Sequence, residues 1–259
     1  MYKQLKPLKT KKGRDELGLF IVEGKKFVDE IPSNWNIKQY VISKSYAENN
    51  DLTDYKKIAP TEIVKDSIFN SLADTVSPQG ILAVCEKRSW SLQDILTPNG
   101  FILLGENLSD PGNIGALIRT AKAAGANGVI FTEGSGDVFN PKVLRAAAGA
   151  VLRIPILQNV ELVEIVDKLK KANYTIYAAH LKGDSLPYDH NLTNNTCLMV
   201  GNESRGLTEN ATALANELVR LPMASGTESL NASVAGSVLL YEVVRQRCIK
   251  IHCGNEGEK

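Results

Sequence analysis

The sequence is poor in histidine, cysteine and aromatic residues, and it lacks long apolar runs. Three histidines and four cysteines occur in 259 residues, and aromatic residues make up 6%. The cysteines, Cys85, Cys197, Cys248 and Cys253, are scattered with no CxxC pair. That spacing gives no disulfide framework and fits a reducing cytoplasm. Cys248, His252 and Cys253 are close in the chain, but no second pair of ligands lies nearby, so no metal is expected. No run of about 18 apolar residues occurs, so no membrane-spanning helix is expected. The start, MYKQLKPLKTKKGRDE, has no apolar segment and does not read as a secretory signal. No GxxxxGK[ST] occurs, and Asp110 stands where a dinucleotide fingerprint around Gly112 and Gly115 would need glycine. An excess of one charge is lacking too. Thirty Lys and Arg against 29 Asp and Glu give a net charge of +1, which neither demands nor excludes a nucleic-acid partner.

What is present describes a globular chain. Apolar residues make up 43% and charged residues 23%, the proportions of a soluble protein, in a length sufficient for two domains. The basic residues crowd the start: Lys3, Lys6, Lys9, Lys11, Lys12 and Arg14, then Lys25 and Lys26. Such a cluster is more often a solvated face than a binding arm, yet it could supply phosphate contacts.

Short apolar runs alternate with helical patterns. Leu19 to Val22 reads as a strand, Lys25 to Ile31 as a short helix, Ile37 to Ser43 as a strand, Ile63 to Leu72 as a helix and Gly80 to Cys85 as a strand. The mixed, Pro- and Gly-bearing stretch from Glu86 to Gly100 reads as a domain boundary. Beyond it the alternation is regular. Strands are expected at Phe101–Leu104, Val129–Phe131, Tyr174–Ala179 and Cys197–Val200, and helices at Asn113–Ala124, Pro141–Val151 and Leu162–Leu169. The strands are nearly all apolar, as in a parallel sheet covered on both faces.

Three loops follow these strands: Gly105 to Thr120, Gly201 to Leu207, and Leu221 to Glu242, LPMASGTESLNASVAGSVLLYE. In open α/β sheets ligands sit outside the carboxyl ends of the strands, so the three could meet at one crevice. In the last stretch, Leu218, Val219 and Leu221 read as a strand end closed by Pro222. Ser229 or Asn231 would cap the following helix, and Leu230, Val234, Val238 and Tyr241 would form its buried face. Taken singly each loop has an ordinary account, with Arg119 a solvated charge, Glu203 a turn residue and Asn113 an N-cap.

Their order is more informative. Asn113-Ile114-Gly115-Ala116…Arg119-Thr120-Ala121, Val200-Gly201-Asn202-Glu203…Gly206-Leu207 and Leu221-Pro222-Met223…Ser229-Leu230-Asn231-Ala232-Ser233-Val234-Ala235…Leu240-Tyr241-Glu242 resemble the three motifs of the SpoU/TrmH family of RNA ribose 2′-O-methyltransferases, in the SPOUT superfamily. The region Arg14 to Asp29, with GLFIVEGKKFVDE, resembles the L30e-like substrate-binding domain of many members. Ala232 departs from the more usual valine, away from the catalytic positions.

The resemblance implies an α/β protein. Residues 1–92 would form a small L30e-like RNA-binding domain, 98–250 a trefoil-knot methyltransferase domain with a mostly parallel sheet, and 251–259 a frayed tail. It also implies a homodimer and S-adenosylmethionine as cofactor, held by Ala179, Gly201, Leu221, Met223, Ser229, Leu230 and Asn231. Arg119 resembles the catalytic arginine, with Asn113, Glu203 and Asn231 as its companions in the site. The strong basicity of a guanidinium favours a clamp on phosphate or transition state over a base. Lys9, Lys12, Arg14, Lys26 and Arg119 are the expected RNA contacts, and ribosomal RNA the expected substrate. The alternatives are a transfer-RNA enzyme, a small-molecule methyltransferase, or a silent RNA-binding assembly factor. The last would be expected to have lost Arg119, Glu203 or Asn231, and all three are present.

Overall fold

A computed structural model describes residues 2–226 and 228–254, with side chains for 4–226 and 228–248. Among these residues ten strands form two sheets. After a 3₁₀ turn, Tyr2–Lys9, come α1 (Lys11–Leu17), β1 (Leu19–Glu23), α2 (Lys25–Asp29), β2 (Ile37–Ser43), α3 (Lys44–Asn49), α4 (Thr53–Ile58), β3 (Thr61–Val64), α5 (Asp66–Leu72) and β4 (Ile81–Glu86). This sheet has the order β1-β4-β2-β3. β4 is antiparallel to both neighbours, and β3 runs parallel to β2.

The second sheet comprises β5 (Phe101–Gly105), β6 (Gly128–Thr132), β7 (Ile156–Val160), β8 (Thr175–Ala179), β9 (Thr196–Val200) and β10 (Glu217–Val219). Its order is β10-β8-β9-β5-β6-β7, and every pairing is parallel. Its helices are α6 (Pro111–Ala123), α7 (Pro141–Ala146), α8 (Leu162–Lys171), α9 (Glu209–Leu214) and α10 (Ala232–Gly254). Alternate strand residues point to opposite faces, and both faces are covered. Leu103, Val129, Phe131 and Leu198 pack with Ile114, Leu117, Val143, Leu239 and Leu240 of α6, α7 and α10. Ile102, Ile130, Met199 and Ala178 pack with Ile165, Val166, Leu169 and Ala211 of α8 and α9. The first of these clusters continues into the N-terminal sheet through Phe20, Val22, Trp35 and Tyr40.

Several expectations need correction. Ile63 and Val64 belong to β3, not to the helix that follows, because parallel pairing with β2 suits two β-branched residues. The helix from Pro141 stops at Ala146, and Ala148 (φ 46°) and Gly149 (φ 81°) take left-handed conformations that break it before Val151. α6 starts at Pro111 with Asp110 as its cap, so Asn113 lies inside the helix. α10 faces the other way from expectation. It buries Gly236, Leu239, Leu240 and Val243, whereas Val234, Val238 and Tyr241, with Leu230 ahead of them, are exposed. This helix is apolar on both sides, so spacing alone could not say which side faces the core. Arg14, expected among the solvated cations, is instead buried (3% exposed) against Asp137, which takes up its charge. The tail expected to fray over 251–259 is helical to Gly254, and residues 255–259 lie outside the described residues. No helix among the described residues is long and apolar enough to cross a membrane.

Candidate active site

The carboxyl ends of β8, β9 and β10 open onto one hollow of about 310 Å³. Its walls come from Ala179 to Lys182 at the end of β8, Val200 to Leu207 at the end of β9, and Val219, Arg220, Leu221, Met223, Ser229 and Leu230 at and after the end of β10, with Ala232 and Ala235 of α10. Ala179, Gly201, Leu221, Met223, Ser229 and Leu230, six of the seven expected cofactor residues, line it. Asn231 stands at its edge as the cap of α10. Its Oδ1 accepts hydrogen bonds from the Ser233 amide (2.8 Å) and hydroxyl (2.6 Å) and from the Val234 amide (3.3 Å).

The loop after β9 is tightly folded. The Asn202 and Gly206 backbones bond each other at 3.0 and 2.9 Å, and a Cβ on Gly201 would lie 2.4 Å from the Gly206 carbonyl carbon and the Leu207 amide. Only glycine fits there. Three side chains then tie this loop to the one after β5. Glu106, almost fully buried, accepts from the Thr208 amide (2.9 Å) and hydroxyl (2.6 Å). Asn202 donates from Nδ2 to the Asn107 carbonyl at 2.8 Å. Glu203 accepts from the Asp110 amide and Asn113 Nδ2, both at 3.1 Å, and from the Ser109 hydroxyl at 3.3 Å. Burial pushes the Glu203 carboxyl up, but these hydrogen bonds outweigh it and hold the group below its ordinary value, ionised at neutral pH.

The structure brings Asn113 and Glu203 together and places Arg119 elsewhere. Arg119 is six residues along α6 from Asn113, on the exposed side, and has no hydrogen bond or ion pair among the described residues. It stands one turn beyond Ala116, which shares a shallow apolar depression with Val234, Val238 and Tyr241 of α10. The Ser237 hydroxyl, bonded to that of Thr120 at 3.1 Å, fastens α10 to this part of α6. Lys9, Lys12 and Lys26 are exposed on the N-terminal part of the chain. Sequence reasoning missed Lys182, Arg205 and Arg220, exposed cations that line the hollow. The signal was available: each follows an apolar strand end within a few residues. No cluster of three or more metal-ligating side chains occurs among the described residues.

Comparison with known proteins agrees with this geometry. Residues 100–241 match the family model described as the SpoU rRNA Methylase family, and residues 2–83 match an MRM3-like substrate binding domain. A 23S rRNA (guanosine(2553)-2′-O)-methyltransferase, RlmP of Bacillus subtilis (strain 168), is 30% identical over 241 residues, covering 93% of this chain and 94% of its own. The crystal structure of the SpoU methyltransferase AviRb from Streptomyces viridochromogenes in complex with AdoMet superposes with a TM-score of 0.87 at 26% identity, covering 95% of this chain and 97% of that one. A TrmH/SpoU tRNA modifying enzyme from A. aeolicus gives a TM-score of 0.54 at 28% identity and covers 59% of this chain and 77% of its own. The chain belongs to the SpoU family of S-adenosylmethionine-dependent RNA methyltransferases.

Proposed function

We propose that the protein transfers the methyl group of S-adenosylmethionine to the 2′-hydroxyl of a ribose in ribosomal RNA. The observation that carries this reading is that the second and third motif loops, separated in sequence, line one hollow, while the first is bonded to the second through Asn113 and Glu203. Its volume suits a small ligand. Its lining also fits the cofactor, with apolar Leu207, Leu221, Met223 and Leu230 for the adenine and methionine carbon chain and loop backbone groups for the polar edges. When bound, the cofactor supplies an electrophilic methyl group on a sulfonium.

The remaining tasks fall to this chain. The ribose hydroxyl must lose its proton as its oxygen takes the methyl group, and the two reactants must be held in line. Asn113 and Glu203 keep the first two loops in register. Asn231 holds the start of α10 at the pocket edge. Arg119 clamps the phosphate or the developing negative charge. Since Arg119 lies outside the hollow of its own chain, the site is completed in a homodimer. The exposed Val234, Val238 and Tyr241 beside it form the apolar strip of that interface.

The substrate-binding unit is residues 1–92, with Lys9, Lys12 and Lys26 meeting phosphates, and the methyl-transfer unit is residues 98–250. Ribosomal RNA is favoured because the 23S rRNA-directed relative from Bacillus subtilis aligns along nearly the whole chain, whereas the tRNA-modifying structure aligns with little more than half of it. The test is incubation with methyl-labelled S-adenosylmethionine and unmodified ribosomal RNA, followed by mapping of resistant riboses. One 2′-O-methyl position is expected. Cofactor binding without labelled RNA would favour an assembly factor instead, and label only in transfer RNA would move the substrate.

A further inference from the structure

We infer that Arg14 and Asp137 form a buried clamp that sets the orientation of the N-terminal sheet domain on the methyltransferase domain; Arg14 is thus a positioning residue for the RNA. This inference rests on the proposed RNA function for its consequence, but not for its geometry. The two residues are 123 apart in sequence, and only 3% and 8% of their surfaces are exposed. Arg14 donates from Nε (2.8 Å) and Nη2 (2.6 Å) to Asp137 Oδ2, and from Nη1 to the Leu8 carbonyl (2.8 Å). Asp137 Oδ1 accepts from the Phe139 amide at 2.9 Å. Guanidinium and carboxylate are therefore both engaged from their own domain as well as from across the junction.

The surrounding contacts are apolar or lie at the rim, save for one buried hydrogen bond from Trp35. Phe20 of β1 packs on Phe139 with ring centroids 4.5 Å apart and on Trp35 at 5.6 Å. The Trp35 indole N–H donates to the Leu152 carbonyl at 2.8 Å. At the rim, Asp74 meets Arg145 at 2.6 Å, and the Glu30 carbonyl accepts from Arg153 at 2.6 Å. Apolar packing supplies the attraction but little direction. A buried ion pair adds little net stability, because desolvation offsets its attraction; one established use of such pairs is to fix a single register of packing. A slide or rotation at this junction would strand both charges away from water, and that cost selects one orientation. RNA gripped by the N-terminal domain then meets the cofactor hollow at a fixed offset, and a misplacement of one ångström can cost roughly a hundredfold in rate.

The test compares the parent with Arg14→Gln, Asp137→Asn and the double variant Arg14→Met/Asp137→Leu, which keeps the junction filled while removing both charges. Spin labels at exposed Glu48 and Val163, in a background with Cys248 and Cys253 replaced by serine, report the inter-domain distance. The expected result is a broader distance distribution, unchanged S-adenosylmethionine affinity, and a kcat on structured RNA lowered about a hundredfold with a smaller change in KM. A distribution as narrow as the parent's overturns the clamp whatever the RNA activity. A parent inactive on RNA would overturn the proposed function and leave the distances to decide the clamp. If the variants do not fold, hydrogen exchange on the unaltered protein decides. The Phe139 amide and Trp35 indole protons should exchange as slowly as the β5 amides, and exchange at surface-loop rates would overturn the inference.

Discussion

The two sides of the cofactor hollow are built by different means. On one side the loops after β5 and β9 are stitched together by Glu106, Asn202 and Glu203, each with its partners across the gap. On the other, among the described residues no side-chain hydrogen bond ties residues 221–226 or 228–230 to the rest of the chain, and the flanking anchors are the Arg220 amide, which donates to the Ser185 carbonyl at 2.9 Å, and Asn231, which caps α10. The stitched side is organised before any ligand arrives, so it needs no ordering when charge develops. The bare side has backbone groups free to meet a ligand and few internal contacts to oppose adjustment. A preformed side that positions and an adaptable side that grips would let one pocket hold a cofactor and release its product.

Variants can break or sharpen that contrast. Arg119→Ala touches neither side and should show the largest effect on rate, a loss of about 10²–10³ in kcat. Its thermal midpoint and cofactor affinity should stay at parental values; a Kd change measured by calorimetry would place Arg119 in the pocket instead. Gly201→Ala attacks the stitched side, since its Cβ would overlap the Gly206 and Leu207 backbone. It should destabilise by about 1–3 kcal/mol in denaturant unfolding and weaken cofactor binding by more than about tenfold, or 1.4 kcal/mol.

Glu203→Ala leaves the buried Asn113 amide without its acceptor and should lower stability by about 1–2 kcal/mol. The stitched side should then exchange like the bare one. Asn231→Ala removes the cap of α10 on the bare side, for about 1 kcal/mol, with protection in residues 105–113 and 200–208 unchanged. The smallest effect concerns pH. The folded-state pKa of Glu203 is depressed, so its stabilising share is complete above the unfolded value of about 4.3 and is lost as pH falls through the lower folded value. Unfolding followed from pH 6 to pH 3 should show a shallower acid slope for Glu203→Gln than for the parent.

Much of the catalytic half was legible because its signals are local. Continuous apolar runs at Phe101 and Cys197 announce strands buried on two faces, and the first two motif loops fall where those strands end. What could not be read depends on contacts distant in sequence. The burial of Arg14 follows from Asp137, which lies 123 residues away, so a cluster of six cations near the N-terminus looked uniformly solvated. Asn113 and Arg119 sit in one motif but on different sides of one helix, a separation that motif order does not encode. Both candidate faces of α10 satisfy helical spacing, and the choice is made by the close approach of Gly236 to Leu117, where a Cβ would come within 2.5 Å.

The most direct test of the two-sided pocket is amide hydrogen exchange with and without S-adenosylmethionine. Residues 105–113 and 200–208 should already be protected in the free protein and change little, while residues 221–231 should exchange quickly alone and gain protection when the cofactor binds. Equal protection of both sides in the free protein, or a gain confined to 105–113 and 200–208, would contradict the account.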